Sequence, residues 1–184
     1  MTHYSVGAIL AVDLMNTYDV HAGEELLDTA GALADFAEEH GLGRATSTLD
    51  DLQRVRSVRA RLREAVLAED EATAVGALND LLASASPRPR LVEEDGDWTF
   101  AFADPNGGLG NQVVAEAAGQ LLQEIREHGL ERFSTCDSST CQDVFVDKSR
   151  NHSRRYCTPD VCGNREAQRA YRARRAETTG SDSD

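Results

Sequence analysis

Four cysteines, Cys136, Cys141, Cys157 and Cys162, stand in the last third of this 184-residue chain and nowhere else. They form two C-x4-C pairs separated by fifteen residues. No other feature restricts the fold as much. Each pair can offer two thiolates from one tight turn, and a hairpin-length spacer returns the second turn to the first, so four sulfurs converge on a tetrahedral Zn2+. The gap within each pair is wider than the commonest two-residue knuckle, and two disulfides are the competing arrangement. The first residues carry no basic segment or cleavage site of a secretory leader. A cytoplasmic, reducing setting is therefore expected, where thiols more often hold metal than pair with each other. One Zn2+ bound by all four cysteines would have a closed shell with no place for water, and so a structural role.

Charge divides along the same line. Residues 132–175 hold ten Arg or Lys and five Asp or Glu, a net of +5, while the rest of the chain holds nine basic and 27 acidic groups, a net of −18. The overall charge of −13 would argue against a polyanionic partner. A basic module set against an acidic body argues for one.

The residues around the cysteines carry a resemblance. Cys141-Gln142-Asp143-Val144-Phe145-Val146-Asp147-Lys148-Ser149-Arg150-Asn151 runs on through Arg154-Arg155-Tyr156-Cys157 and closes in Cys162-Gly163-Asn164-Arg165. This stretch resembles the CGNR zinc finger of bacterial regulators, with Tyr156 where tryptophan is usual and Asp160 in the last loop. Ahead of it, Val12-Asp13-Leu14-Met15-Asn16-Thr17 and Leu62-Arg63-Glu64-Ala65 are similar to an ABATE domain. The resemblance implies a transcription regulator linked in part to stress responses. It also implies a DNA-binding finger and an N-terminal domain whose Asp13, Asn16, Thr17, Arg59, Arg63 and Trp98 would line a small-ligand sensor pocket. Read from the residues alone, Asn16 and Thr17 equally suit a turn, and Arg63 a surface ion pair.

Hydropathy patterning gives the organisation: an N-terminal domain over 1–130, a finger over 131–176 and a disordered tail over 177–184. The apolar run 6–14 has strand length and predicts a buried strand. Residues 21–40 read as a helix with Leu26, Leu27, Ala30, Leu33, Ala34 and Ala37 on one face, stopped by Gly41 and Gly43. Thr48 or Asp50 can cap a second helix whose stripe is Leu52, Val55, Val58, Leu62 and Val66. A third helix fits 71–84. Around Asp95-Gly96, segment 90–103 predicts a hairpin that pairs with the 6–14 strand and covers Trp98 at least in part. Helix 109–128 follows. The fold class is therefore α+β: a helix-rich N-terminal domain with a small antiparallel sheet, then a treble-clef-like zinc finger.

Inside the finger, Val144-Phe145-Val146 predicts a short strand that pairs with the segment leading into Cys157. Cys162 precedes strong helix formers, and the dipole of that helix favours its thiolate. Arg165, Arg169 and Arg172 at i, i+4 and i+7 share one helix arc, with Ala167, Ala170 and Ala173 expected inward. Lys148, Arg150, Arg154 and Arg155 on the preceding loop would extend a phosphate-binding face. Asp147 is expected to brace guanidinium groups, and Asn164 to bond the knuckle backbone. No catalytic Ser/His/Asp order, phosphate-cradling glycine loop or paired acidic site stands out, so an enzyme is not expected. No apolar run is long enough for a membrane span, and a homo-oligomer is compatible with the sequence. The expected function is DNA-binding transcription regulation. The alternative is a zinc-stabilised protein-interaction module that does not bind nucleic acid.

Overall fold

Leu52, Val55, Val58, Leu62 and Val66 recur at helical spacing, and all five are buried. They form the inner stripe of helix α3, Leu49–Val66, in a computed structural model describing residues 9–43, 46–94 and 96–180. Thr48 opens α3 with a capping box: its hydroxyl accepts from the Asp51 amide, and the Asp51 carboxylate accepts from the Thr48 amide. Such a pair satisfies two amide donors that a helix start would otherwise leave unpaired.

Around α3 stand α1 (Ile9–Asn16), α2 (Ala30–Glu39), α4 (Glu71–Ser84) and α5 (Leu109–His128). The central helix is α5, buried along most of its length. Its residues Ala115, Ala117, Ala118 and Gly119 are small, which lets neighbouring backbones and rings approach closely. The ring of Phe102 occupies the space that a Cβ on Gly119 would need. Asp51 also reaches α5, where its carboxylate accepts from the Gly110 amide at 2.8 Å.

The described residues also form three two-stranded antiparallel ribbons. In chain order they are β1 (Tyr18–Asp19) with β2 (Glu24–Glu25), β3 (Arg90–Glu94) with β4 (Asp97–Ala101), and β5 (Phe133–Thr135) with β6 (Val144–Val146). The helix-rich α+β class holds, but three expectations about its strands do not. The described part of 6–14 is helix: Leu10, Ala11, Leu14 and Met15 face the core at helical period, while Asp13 is exposed. An unbroken apolar run suits a buried helix as well as a buried strand; residues 6–8 lie outside the described residues. The 90–103 hairpin forms with Leu91 opposite Phe100 and Glu93 opposite Trp98, but among the described residues it pairs with no third strand. Trp98 is 69% exposed rather than covered.

The expected helix 21–40 starts only at Ala30, where the Thr29 hydroxyl accepts from the Ala32 amide; the β1–β2 turn occupies the residues before it. Strand β6 pairs with β5, not with the segment leading into Cys157. That pairing also carries the core across the expected boundary at 130. Phe133, Val144 and Val146 are buried in the same apolar cluster as α1, α3 and α5. No helix among the described residues is long and apolar enough to cross a membrane.

Candidate metal centre and basic surface

Strand β5 runs directly into Cys136, whose amide donates to the Asp143 carbonyl at 2.9 Å. The chain then turns back, with the Cys141 amide donating to the Ser138 carbonyl at 3.1 Å, and enters β6. The loop after β6 is set by Asp147, which is 3% exposed. Its carboxylate accepts from the amides of Ser149 at 2.7 Å and Arg154 at 2.9 Å. Asp147 therefore braces backbone amides, not the guanidinium groups expected from the sequence. Arg132 closes the loop from the other side by donating to the carbonyls of Asp147 and Ser149. The Asp137 amide donates to the Arg155 carbonyl at 2.9 Å and brings the second cysteine pair alongside the first.

Cys162 lies in a wide π-helical turn, Pro159–Gly163, that leads into helix α6, Asn164–Gly180. Asn164 donates from Nδ2 to the Asp160 carbonyl at 2.7 Å, bonding the knuckle backbone as expected. Helix α6 passes the expected start of the tail at 177, and residues 181–184 lie outside the described residues.

The four Sγ atoms all lie within 4.8 Å of one another. Cys141 and Cys157 are 3.6 Å apart, and Cys157 and Cys162 3.7 Å. A tetrahedron with Zn–S bonds of about 2.3 Å has edges of about 3.8 Å, whereas a disulfide needs about 2.05 Å. The cysteines are free thiols spaced as metal ligands, not as disulfides. Their electrostatics agree. Burial and the surrounding thiols and Asp143 push Cys157 far above the usual thiol range. Cys141 is pushed up to about 12, chiefly by burial. Burial also raises Cys136, but amide donors from Cys157 and Ser138 outweigh it and hold the thiol below its ordinary value. Four sulfurs this close cannot all ionise alone; a dication at their centre removes the conflict. The site holds one structural zinc.

The basic residues divide into two groups. Arg165, Arg169 and Arg172 are exposed on α6. Arg165 donates to the Thr140 hydroxyl and Arg169 to that of Ser139, so the stripe leans against the first cysteine turn. Glu166 anchors the helix there by accepting from Ser138, Ser139 and the Ser139 amide. Lys148, Arg150 and Arg155 are exposed on the loop, and Arg155 pairs with Asp137 at 2.8 Å. Arg154 does not join them. Its guanidinium lies 4.8 Å from the Phe145 ring centre and donates to the carbonyls of Tyr156 and Cys157, so it holds the metal loop. Ala167, Ala170 and Ala173 are exposed rather than inward.

Residues 132–175 match the CGNR zinc finger, and residues 9–125 match ABATE, described as "Putative stress-induced transcription regulator". The chain belongs to the ABATE family. No curated protein matches it.

Within the ABATE body, four of the six residues expected at a ligand pocket come together as a clamp. Arg59 makes a two-pronged bond to Glu25 at 2.8 and 2.7 Å and donates to Thr17 at 2.8 Å. Asn16 grips strand β6 of the CGNR finger: its Nδ2 donates to the Val144 carbonyl and its Oδ1 accepts from the Val144 amide, both at 2.9 Å. Arg63 donates to the Gln142 carbonyl next to Cys141. Asp13 faces His40 at 3.6 Å on the other side of α1, and Trp98 stands apart on its hairpin. None of the six lines the open groove of about 380 Å3 formed by Val66, Leu67, Glu69, Leu130 and Phe133, among others. Glu25, Glu166 and Asp143 are contact partners of these residues that sequence reasoning missed. Only Glu166, an acid in the first turn of a basic helix, carries a local signal.

Proposed function

We propose that this ABATE-family protein regulates transcription by binding DNA through α6 and the loop carrying Lys148, Arg150 and Arg155. One observation carries the reading. Over residues 164–175, α6 is exposed and bears five arginines (Arg165, Arg169, Arg172, Arg174 and Arg175) against one acid, Glu166, which is already bonded to the cysteine turn. At about 1.5 Å per residue, those twelve positions span about 18 Å. A major groove about 12 Å wide accepts such a helix, and arginines on its flanks would meet phosphates on both walls. Zinc fixes the first turn of α6 through Cys162, so the helix projects from a rigid base. The acidic body sets the approach, because DNA is drawn to the finger and repelled elsewhere.

The test is a titration of the full, zinc-loaded chain against duplex DNA at several salt concentrations. Binding should weaken steeply with salt, and Arg169→Ala should lower the slope of log K against log salt by about 0.9 for each phosphate that Arg169 neutralises. If the full chain binds no DNA at low salt, or binds without salt dependence, the reading fails. An interaction module docking an acidic protein surface then takes its place.

A further inference from the structure

We propose that Arg63, from the ABATE body, is a positioning residue of the zinc centre: its charge balances the tetrathiolate site across the body–finger junction. Four thiolates around Zn2+ carry a net charge of −2, and Asp143 adds a further negative charge beside them. The Asp143 carboxylate lies 3.3 Å from Cys157 Sγ. That is a favourable contact for a thiol and an unfavourable one for a thiolate.

Arg63 meets this excess. It lies on α3 one residue after buried Leu62, half-covered, with its guanidinium bonded to the Gln142 carbonyl between Cys141 and Asp143. Burial lowers its pKa, and the fields of Asp143 and Cys141 raise it again, so those two groups are the ones its charge faces. A guanidinium so placed pins the backbone next to one ligand and offsets the charge of the ligand set. Partners outside the coordination shell orient ligands in this way, and losing one typically costs 10–100-fold in metal affinity. Arg154, on the loop after β6, is bonded to carbonyl groups on the Cys157 side. Arg165 and Arg169 of the finger reach the Thr140 and Ser139 hydroxyls ahead of Cys141, and Arg63 is the cation that the body adds on the backbone between Cys141 and Asp143.

The experiment measures zinc affinity in the full chain by competition with a chromophoric chelator, with circular dichroism to follow folding. Arg63→Gln should weaken zinc binding roughly tenfold or more. Arg63→Lys, which keeps the charge, should recover most of that loss. The double variant Arg63→Gln with Asp143→Asn should also recover it, because one negative charge is removed along with the positive one. A role limited to packing would leave both rescues without effect. Unchanged affinity in Arg63→Gln overturns the proposal, and so does failure of the lysine and Asp143→Asn variants to recover what Arg63→Gln loses. If Arg63→Gln folds poorly, the double variant still decides: tight zinc binding supports the charge account, and a tenfold loss refutes it.

Discussion

Asn16 offers the sharpest test of how the body holds the finger. Its side-chain amide stands where a neighbouring strand would be, donating to one backbone group of Val144 and accepting from the other at 2.9 Å. Val144 is fully buried and pairs through β5 on its other side. Asn16→Ala removes two hydrogen bonds, each worth about 1 kcal/mol net, and leaves an amide and a carbonyl at a covered strand edge with no partner. Water reaching the new gap would satisfy part of that loss. The expected cost is therefore about 2–4 kcal/mol, read by urea unfolding of the zinc-loaded chain at pH 7 with an unchanged m-value.

Asn16→Asp separates hydrogen bonding from shape. A carboxylate can accept from the Val144 amide, but it repels the carbonyl. Protonated, it restores both bonds. The folded state thus favours the protonated form, and the new carboxyl should titrate above the usual range near 4. A group with a raised folded pKa contributes stability that is lost as pH rises through that value. The gap between Asn16→Asp and the parent chain should therefore narrow as pH falls from 7 to 5. A cost below about 0.5 kcal/mol for Asn16→Ala, within the usual range for surface changes, or a gap indifferent to pH, refutes the reasoning.

Two further outcomes follow from the site and the core. Cys157→Ser should lower bound zinc from one per chain to near zero while the buried α3 and α5 keep the helical signal, because three thiolates leave an open shell; full zinc retention by metal analysis would contradict the four-sulfur site. Burial raises the Asp51 carboxyl, but bonds from the Thr48 hydroxyl, the Gly110 amide and the Thr48 amide outweigh it and hold the group below 3.8. A depressed pKa means stability present above about 3.8 and lost as pH falls below it, so Asp51→Ala should cost about 1–2 kcal/mol at pH 7 and less near pH 3, as thermal unfolding against pH would show.

The metal centre was legible because ligand chemistry is local. Two turns with matched gaps converge wherever the spacer folds back, whatever surrounds them. The α3 stripe was legible for a similar reason, since Leu52 to Val66 repeat at one period over 18 residues. Segment 6–14 lacked that contrast: with apolar residues at nearly every position, period is undefined, and packing against α3 and α5 chose helix from Ile9 onward. Alternation correctly placed Leu91, Trp98 and Phe100 on the hairpin, but it says nothing about whether another element covers them. Arg154 could be counted as a charge, yet its choice of local carbonyls over solvent depends on the turn built by Asp147. The Asn16–Val144 pair spans 128 residues, and no periodicity in a single chain reports a contact of that range.

That long-range pairing changes what the finger is mechanically. A module joined only by a linker would swing, and its orientation would carry nothing from the rest of the chain. Here β5 and β6 share the core with α1 and α5, Asn16 fixes the outer edge of β6, and Arg63 fixes the turn beside Cys141. The rigid path therefore runs from α1 and α3 through the cysteine turns to Cys162 and the first turn of α6. Arg63 thus gives α3 a direct bond to the Gln142 backbone, beside the packing of β5 and β6 against α1 and α5. Zinc closes that path at one end, and without it Cys162 no longer holds the base of the arginine helix in place.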